Sequence, residues 1–385
     1  MRADHLMNLD ALLRAELDKL KEANLLRSLR ATDGLAAGVL NFAANDYLGL
    51  SRHPALIEAA REATARQGTG AGASRLVTGT GPAVLALEEQ LAAWKEKEAA
   101  LVFSSGYAAA LGTIPTLVGK GDTVILDKLA HASLIDAARL SGATVRTFLH
   151  NDTGRLEALL KKISPGKRRV LIVTESIFSM DGDAAPLREL VELKDRHGAW
   201  LLVDEAHATG LYGPTGAGVV AEAGLSDQVE IVMGTLSKAL GSLGGYIAGS
   251  RMLIDWLVNR ARSFIYSTAL PPGVIAAGRA AVELCQATEG TSLRGHLWGN
   301  VARFHAGLPA HWKSGTLSTS AIQPLICGEA SDALRLSTTL RERGFLIPAI
   351  RYPTVPRDSA RLRVTLSAAH SGKDIDALNR ALALP

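Results

Sequence analysis

Cysteine is nearly absent: 385 residues contain two, Cys285 and Cys327, far apart and without a CxxC spacing. That excludes a disulfide framework and a thiolate zinc site, leaves no metal ligand set to propose, and fits a reducing compartment. Missing too are any run near the ~18 apolar residues of a membrane span and any basic N-terminal stretch followed by an apolar one. A cytoplasmic location with no membrane partner is therefore expected. Charge of one sign is scarce, since 42 Lys and Arg stand against 38 Asp and Glu for a net +4, too dilute to mark a nucleic-acid partner. The single local basic cluster, Lys161, Lys162, Lys167, Arg168 and Arg169 beside Pro165 and Gly166, reads as a solvated loop. There is no internal repeat and no low-complexity tract. With 47% hydrophobic and 21% charged residues, the chain lacks the composition of a disordered protein.

Several short catalytic motifs are also lacking. The acidic strand end Leu202-Val203-Asp204-Glu205-Ala206-His207 invites an ATPase reading, but no G-x-x-x-x-G-K-[ST] loop precedes it to cradle phosphates. The glycine-rich stretch 68–81 contains no complete G-x-G-x-x-G and follows no strand, which argues against a nicotinamide-nucleotide domain. Neither G-x-S-x-G nor H-E-x-x-H occurs.

What is present is alternation. Across 54–250, short apolar runs at 100–103, 123–126, 145–149, 170–173, 200–203, 230–233 and 246–248 read as strands covered on both faces. Helical patterns separate them at 82–97, 107–117, 134–141, 156–162 and 187–197. This order predicts an α/β fold with a mostly parallel central sheet flanked by helices. Leu9, Leu12, Leu13, Leu17 and Leu20 at helical spacing predict an amphipathic helix that must pack on something. The expected organisation is an N-terminal arm, 1–50, a large domain, 51–270, and a smaller C-terminal α+β domain, 271–385. That last part holds candidate strands at 321–326, 345–350 and 362–366 and a weakly patterned segment after Cys285.

Open parallel sheets bind ligands at the carboxyl ends of their strands. Those ends hold Gly106-Tyr107, His131, Asp204, His207 and Lys238. Taken singly each has a blander reading: Asp204 as a helix cap or salt bridge, the histidines as hydrogen-bonded core residues, Lys238 as a solvated surface group. Together they supply what a pyridoxal phosphate site needs: a lysine for a Schiff base, a carboxylate for the pyridine nitrogen, an aromatic over the ring and helix N-terminal amides for the phosphate.

The chain resembles, over nearly its whole length, the α-oxoamine synthases, fold type I pyridoxal-phosphate enzymes that condense an amino acid with an acyl thioester and release carbon dioxide. The matching segments are Asn45-Asp46-Tyr47-Leu48-Gly49-Leu50, Gly72-Ala73-Ser74-Arg75-Leu76-Val77-Thr78-Gly79, His150-Asn151-Asp152 and Glu175-Ser176-Ile177-Phe178-Ser179-Met180-Asp181-Gly182-Asp183. Val203-Asp204-Glu205-Ala206-His207, Gly234-Thr235-Leu236-Ser237-Lys238 and Tyr266-Ser267-Thr268 continue the match. The resemblance implies that Lys238 carries the cofactor and acts as general base, that Asp204 pairs with the pyridinium nitrogen, and that His131 stacks on the ring and assists catalysis. It further implies that Ser179 and His207 meet the phenolic oxygen, and that the amides of Gly106 and Tyr107 with the Thr235 hydroxyl hold the phosphate. Members are homodimers with active sites at the subunit boundary, so Thr268 is expected to reach the neighbouring subunit's phosphate. Arg351 would bind the amino-acid carboxylate with support from Asn45, His131 would also contact substrate, and Arg27 and Thr354 would line the acyl site. The segments 349–356 and 360–370 most resemble those of family members that use L-alanine and a pimeloyl thioester, which implies these substrates here, with the acyl group on coenzyme A or acyl carrier protein. Glycine with acetyl-CoA, the pair used by 2-amino-3-ketobutyrate ligase, is the alternative. From another class, a cofactor-free binding or scaffold protein would also carry this fold, although Lys238 and Asp204 stand intact against it.

Overall fold

The computed structural model describes residues 8–29, 38–163, 168–313 and 317–383. Pro165, Gly166 and Lys167 of the basic cluster lie outside them. Two compact units result: a large one, Asn45–Asn300 with Ser367–Ala369, and a small one from the described parts of Met1–Ala44, Val301–Leu366 and His370–Pro385. In chain order β1 (Leu40–Asn41) lies in the small unit. The large unit then contributes β2 (Ala99–Phe103), β3 (Thr123–Asp127), β4 (Thr144–Phe148), β5 (Val170–Glu175), β6 (Trp200–Asp204), β7 (Ile231–Thr235) and β8 (Gly245–Gly249).

These seven strands form one sheet in the order β2-β8-β7-β6-β5-β3-β4, parallel except that β8 runs against both neighbours. Every residue of β2, β3, β5, β7 and β8 is buried, as strands between two helical layers must be. The edge strand β4 differs, with Thr144, Arg146 and Thr147 exposed. Leu101, Phe103, Val124, Leu126, Leu171, Leu202 and Ile247 share one continuous core with Ile114, Leu134 and Leu257 from flanking helices. The strand and helix expectations for this part of the chain stand, with ends moved by a few residues.

The expected borders at 50 and 271 do not hold. Residues 45–50 belong to the large unit, and so does the helix Pro272–Gln286, which packs along the helix Pro54–Gln67. The approach is so close that a Cβ on Gly273 would lie 2.5 Å from Thr64 Oγ1. The weakly patterned segment after Cys285 contains a 20-residue helix, Thr288–Gly307. Its apolar periodicity is interrupted by Gly290, Gly295 and Gly299, and at Gly290 a side chain would strike the Cys285 carbonyl at 2.5 Å.

In the small unit β9 (Ile322–Gly328), β10 (Phe345–Leu346), β11 (Ala349–Ile350) and β12 (Ala360–Thr365) follow β1. The order β11-β12-β9 is antiparallel, while β1 pairs in parallel with β10. The strand expected over 345–350 is split because Pro348 has no N–H for a ladder. The amphipathic helix forms as Leu9–Glu22, but contrary to expectation none of its leucines is buried among the described residues.

Two charge networks hold the carboxyl rim of the large sheet. Lys95 is buried with Glu205, their charges 2.9 Å apart; the lysine also donates to Thr209 Oγ1 and the Ala217 carbonyl, and Glu205 accepts from Val220 N. The second network centres on His150, which bridges Asp127 at the end of β3 to Asp183 beyond β5, at 3.0 and 2.7 Å. Burial opposes its charge, yet the hydrogen bonds to the two carboxylates raise its pKa to about 10.

Removing one member of a buried pair strands the other charge, so Lys95→Met should cost about 3–5 kcal/mol in urea unfolding. Lys95→Met with Glu205→Leu should recover part of that, and an unchanged midpoint for the single variant would disprove the role. A histidine whose folded pKa lies above its unfolded value of about 6.5 stabilises fully below that pH and ceases to do so as pH rises through about 10. The stability of the protein should therefore fall between these limits, and His150→Gln should flatten that part of the profile in thermal unfolding.

Candidate active site

Because β5, β6 and β7 are neighbours in parallel, their last residues deliver side chains to one rim. Asp204 ends β6 and is 4% exposed, with Oδ1 accepting from Ala206 N at 2.9 Å. Burial pushes its pKa up, against the pull of Lys238 and the Ala206 amide. A desolvated carboxylate of this kind favours a cationic partner. Glu175, the last residue of β5, is in register with Asp204 and equally buried. Desolvation first, then the charge of Asp204, raises it well above the ordinary carboxylate range. Sequence reasoning assigned Glu175 no role; the available signal was an acid closing an apolar strand.

Lys238 lies three residues beyond β7 in a tight loop. Leu236 N and the Ser237 hydroxyl both donate to the Gly244 carbonyl, and Gly241 N donates to the Lys238 carbonyl. Gly241 has φ +60° and would place a Cβ 2.5 Å from the carbonyl carbon of Leu50, so only glycine closes this loop. Half-buried Lys238 reaches Nε2 of the buried His207 at 2.8 Å. On its other side His207 Nδ1 is 2.6 Å from the Tyr47 hydroxyl, a neighbour that sequence reasoning missed although Tyr47 stands inside a matched segment. Asn45 accepts from the same hydroxyl at 3.2 Å.

His131 caps the helix Ala132–Leu140, its Nδ1 accepting from Ser133 N at 3.2 Å. The ring stays accessible, while partial desolvation, opposed by Asp204 and reinforced by Lys238, lowers its pKa below 6.5 and keeps it neutral at pH 7. His131, Asp204 and Lys238 thus lie within electrostatic reach of one another. Ser179 is buried in the loop after β5, where Gly182 N donates to the Phe178 carbonyl.

Ser105 caps the helix Gly106–Leu117 by accepting from Ala108 N, so the first-turn amides of Gly106 and Tyr107 face outward as an anion site requires. Thr235 Oγ1 lies 4.0 Å from where a Gly106 Cβ would sit, and it donates to the Gly244 carbonyl at 2.7 Å. Gly245 passes so near that a Cβ there would be 2.5 Å from Gly106 Cα. Thr268 is exposed and bridges Ser74 in antiparallel fashion. In the small unit Arg27 Nη2 donates to Thr354 Oγ1 at 3.3 Å, Arg351 donates to the Asn24 carbonyl, and Thr354 N donates to the Arg351 carbonyl at 3.0 Å. The three small-unit residues expected at the substrate are therefore brought together there. Chemically the large-unit rim offers an amine against an imidazole, desolvated acids, a neutral aromatic ring and a helix N-terminus.

Known proteins resemble this chain over most of its length. The chain is 49% identical over 378 residues to an 8-amino-7-oxononanoate synthase from Anaeromyxobacter dehalogenans, covering 96% of this chain and 94% of the relative. It is 47% identical to another of that name from Geobacter sulfurreducens, with 96% of each covered. Among solved structures, serine palmitoyltransferase from Sphingomonas wittichii superposes with a TM-score of 0.90 at 32% identity, over 99% of this chain and 98% of that one. A family model described as aminotransferase class I and II matches residues 37–382. Matched by that model over nearly its whole length, the chain belongs to the aminotransferase class I and II family.

Proposed function

We propose that the chain condenses L-alanine with a pimeloyl thioester, using pyridoxal 5'-phosphate, to give 8-amino-7-oxononanoate, carbon dioxide and the free thiol. The observation that carries this reading is Lys238 held 2.8 Å from His207 on the rim that also bears Asp204, in a chain near half identical to synthases of that product. The residues suit the cofactor: an amine for its aldehyde, a desolvated acid for its ring nitrogen and a helix N-terminus beside Thr235 for its phosphate. A structure of serine palmitoyltransferase with PLP superposes on this chain with a TM-score of 0.89 at 31% identity.

When bound, the cofactor supplies an electron-withdrawing ring that accepts the electron pair left at the amino-acid Cα. Lys238 would hold the cofactor through its amine and would take the Cα proton as general base. Asp204 would keep the ring nitrogen protonated, His131 would stack on the ring, and Ser179 and His207 would meet the phenolic oxygen. Gly106, Tyr107 and Thr235 hold the phosphate. Arg351, with a guanidinium shaped for a carboxylate, binds alanine with Asn45, and Arg27 with Thr354 lines the acyl site. Overall a Cα–acyl bond forms as the thioester C–S bond breaks; the Cα–carboxylate bond then breaks and Cα regains a proton.

Two apolar surfaces support a homodimer. Exposed on the large unit are Leu76 and Val77, just beyond the Ser74 that bridges Thr268, Tyr266 two residues before Thr268, and Leu243 in the Lys238 loop, and the leucines of Leu9–Glu22 are exposed too. Such faces favour cover by a second copy, in which Thr268 would reach the partner's phosphate. A cytoplasmic location fits two free thiols and the lack, among the described residues, of any helix long and apolar enough to cross a membrane.

Purified protein with the cofactor should release thiol and carbon dioxide from L-alanine plus pimeloyl-CoA. A response to glycine with acetyl-CoA alone would replace the substrate assignment and leave the fold and Lys238 untouched. Lys238→Ala should lose about 10²–10⁴-fold in turnover, whereas Asp204→Asn should still bind cofactor but lose most of its kcat. Light scattering should give twice the monomer mass, and a monomer with full activity would refute the shared site.

A further inference from the structure

Tyr107 is the second residue of the helix Gly106–Leu117, so its backbone amide belongs to the helix N-terminus proposed for the phosphate. Its side chain, 43% exposed, has other business: the phenol donates to Oδ2 of Asp136. An ionised carboxylate can only accept, which fixes the direction of this bond. The same carboxylate, followed by burial, raises the Tyr107 pKa and so keeps the donor proton in place at neutral pH. Asp136 lies half-buried in the helix Ala132–Leu140, the one capped by His131. The two helices pack together, with Ala109, Ala110 and Ile114 of the first and Leu134, Ala137 and Ala138 of the second in one core. Apolar packing of that kind is non-directional, whereas a hydrogen bond from the first turn of one helix to a side chain of the other sets their register.

We propose that Tyr107 is a positioning residue for the reaction: by holding the Asp136 carboxylate, its hydroxyl ties the helix that starts at the phosphate site to the helix capped by His131, and so fixes the imidazole against the cofactor ring. The inference rests on the reading that His131 stacks on that ring. The tie has an electrostatic side as well. Burial lowers the His131 pKa, Asp204 and Asp136 act to raise it, Lys238 acts to lower it, and Glu175 accepts from the His131 backbone amide. A carboxylate that shares its charge with a phenol draws less strongly on a nearby imidazolium. Tyr107 thereby restrains the Asp136 influence and favours the uncharged ring.

The test uses Tyr107→Phe, which keeps the backbone amide and the ring and removes only the hydroxyl, together with Asp136→Ala and Asp136→Asn. In the cofactor-free protein labelled with ¹⁵N-histidine, His131 should titrate at higher pH in Tyr107→Phe and at lower pH in both Asp136 variants. In the holoenzyme Tyr107→Phe and Asp136→Ala should each weaken the visible circular dichroism of the cofactor and lower kcat about fivefold, with KM for alanine little changed. The double variant of these two should be no worse than either alone. Asp136→Asn, whose amide oxygen still accepts from the phenol, should recover most of the dichroism and turnover. Additive losses in the double variant, or wild-type dichroism, kcat and His131 titration in Tyr107→Phe, would overturn the inference. If Asp136→Ala does not fold, the Tyr107→Phe measurements decide. A His131→Ala enzyme with unchanged dichroism and turnover would instead overturn the stacking role of His131, and the titration of the cofactor-free protein would then judge the tie by itself.

Discussion

The burial of Asp204 at the end of β6 is the constraint around which the rest of this molecule is arranged. A carboxylate withdrawn from water is costly unless a cation meets it, and here the surrounding residues settle where each charge goes. Glu205, the next residue, turns away into the protein and is neutralised by Lys95. Glu175, on the adjacent strand, is pushed toward its neutral acid form. Asp204 is left at the end of β6 with Lys238 and His131 within its field.

Placing these groups needs a rigid frame, and two features supply it. Parallel pairing of β5, β6 and β7 fixes the spacing of their last residues, since register in a buried sheet cannot slip without turning every side chain over. Beyond the strands, His150 ties the turn after β3, which leads to His131, to the loop that carries Ser179. Glycines then remove side chains where backbones must nearly touch, as at Gly241 under Leu50 and Gly245 against Gly106. Each gap is filled by another part of the chain, so the loops around Lys238 and the helix N-terminus have little freedom to drift.

Much of this was legible in the residues alone. The aliphatic runs that became β3, β5 and β6 announced buried strands, because a strand covered on both faces has no polar side to show. Asp204, His207 and Lys238 could be found at strand ends because polar residues stand out against those runs. Less was legible where sequence and shape are coupled at a distance. The glycine-broken helix Thr288–Gly307 hid its period, and Pro272–Gln286 was assigned to the wrong unit because nothing in its own pattern says which helix it lies against.

The sequence by itself determined the element order, the strand ends that carry polar groups and the family to which the motifs belong, since all of these depend on local composition and spacing. Only the tertiary structure decided that Tyr47, 160 residues before His207, hydrogen-bonds its ring, that Glu175 lies level with Asp204, and that Lys95 neutralises Glu205. The physical reason is that hydrogen bonds and desolvation act over a few ångströms in space, and pairing of distant segments, which no local pattern encodes, is what brings those atoms within that range.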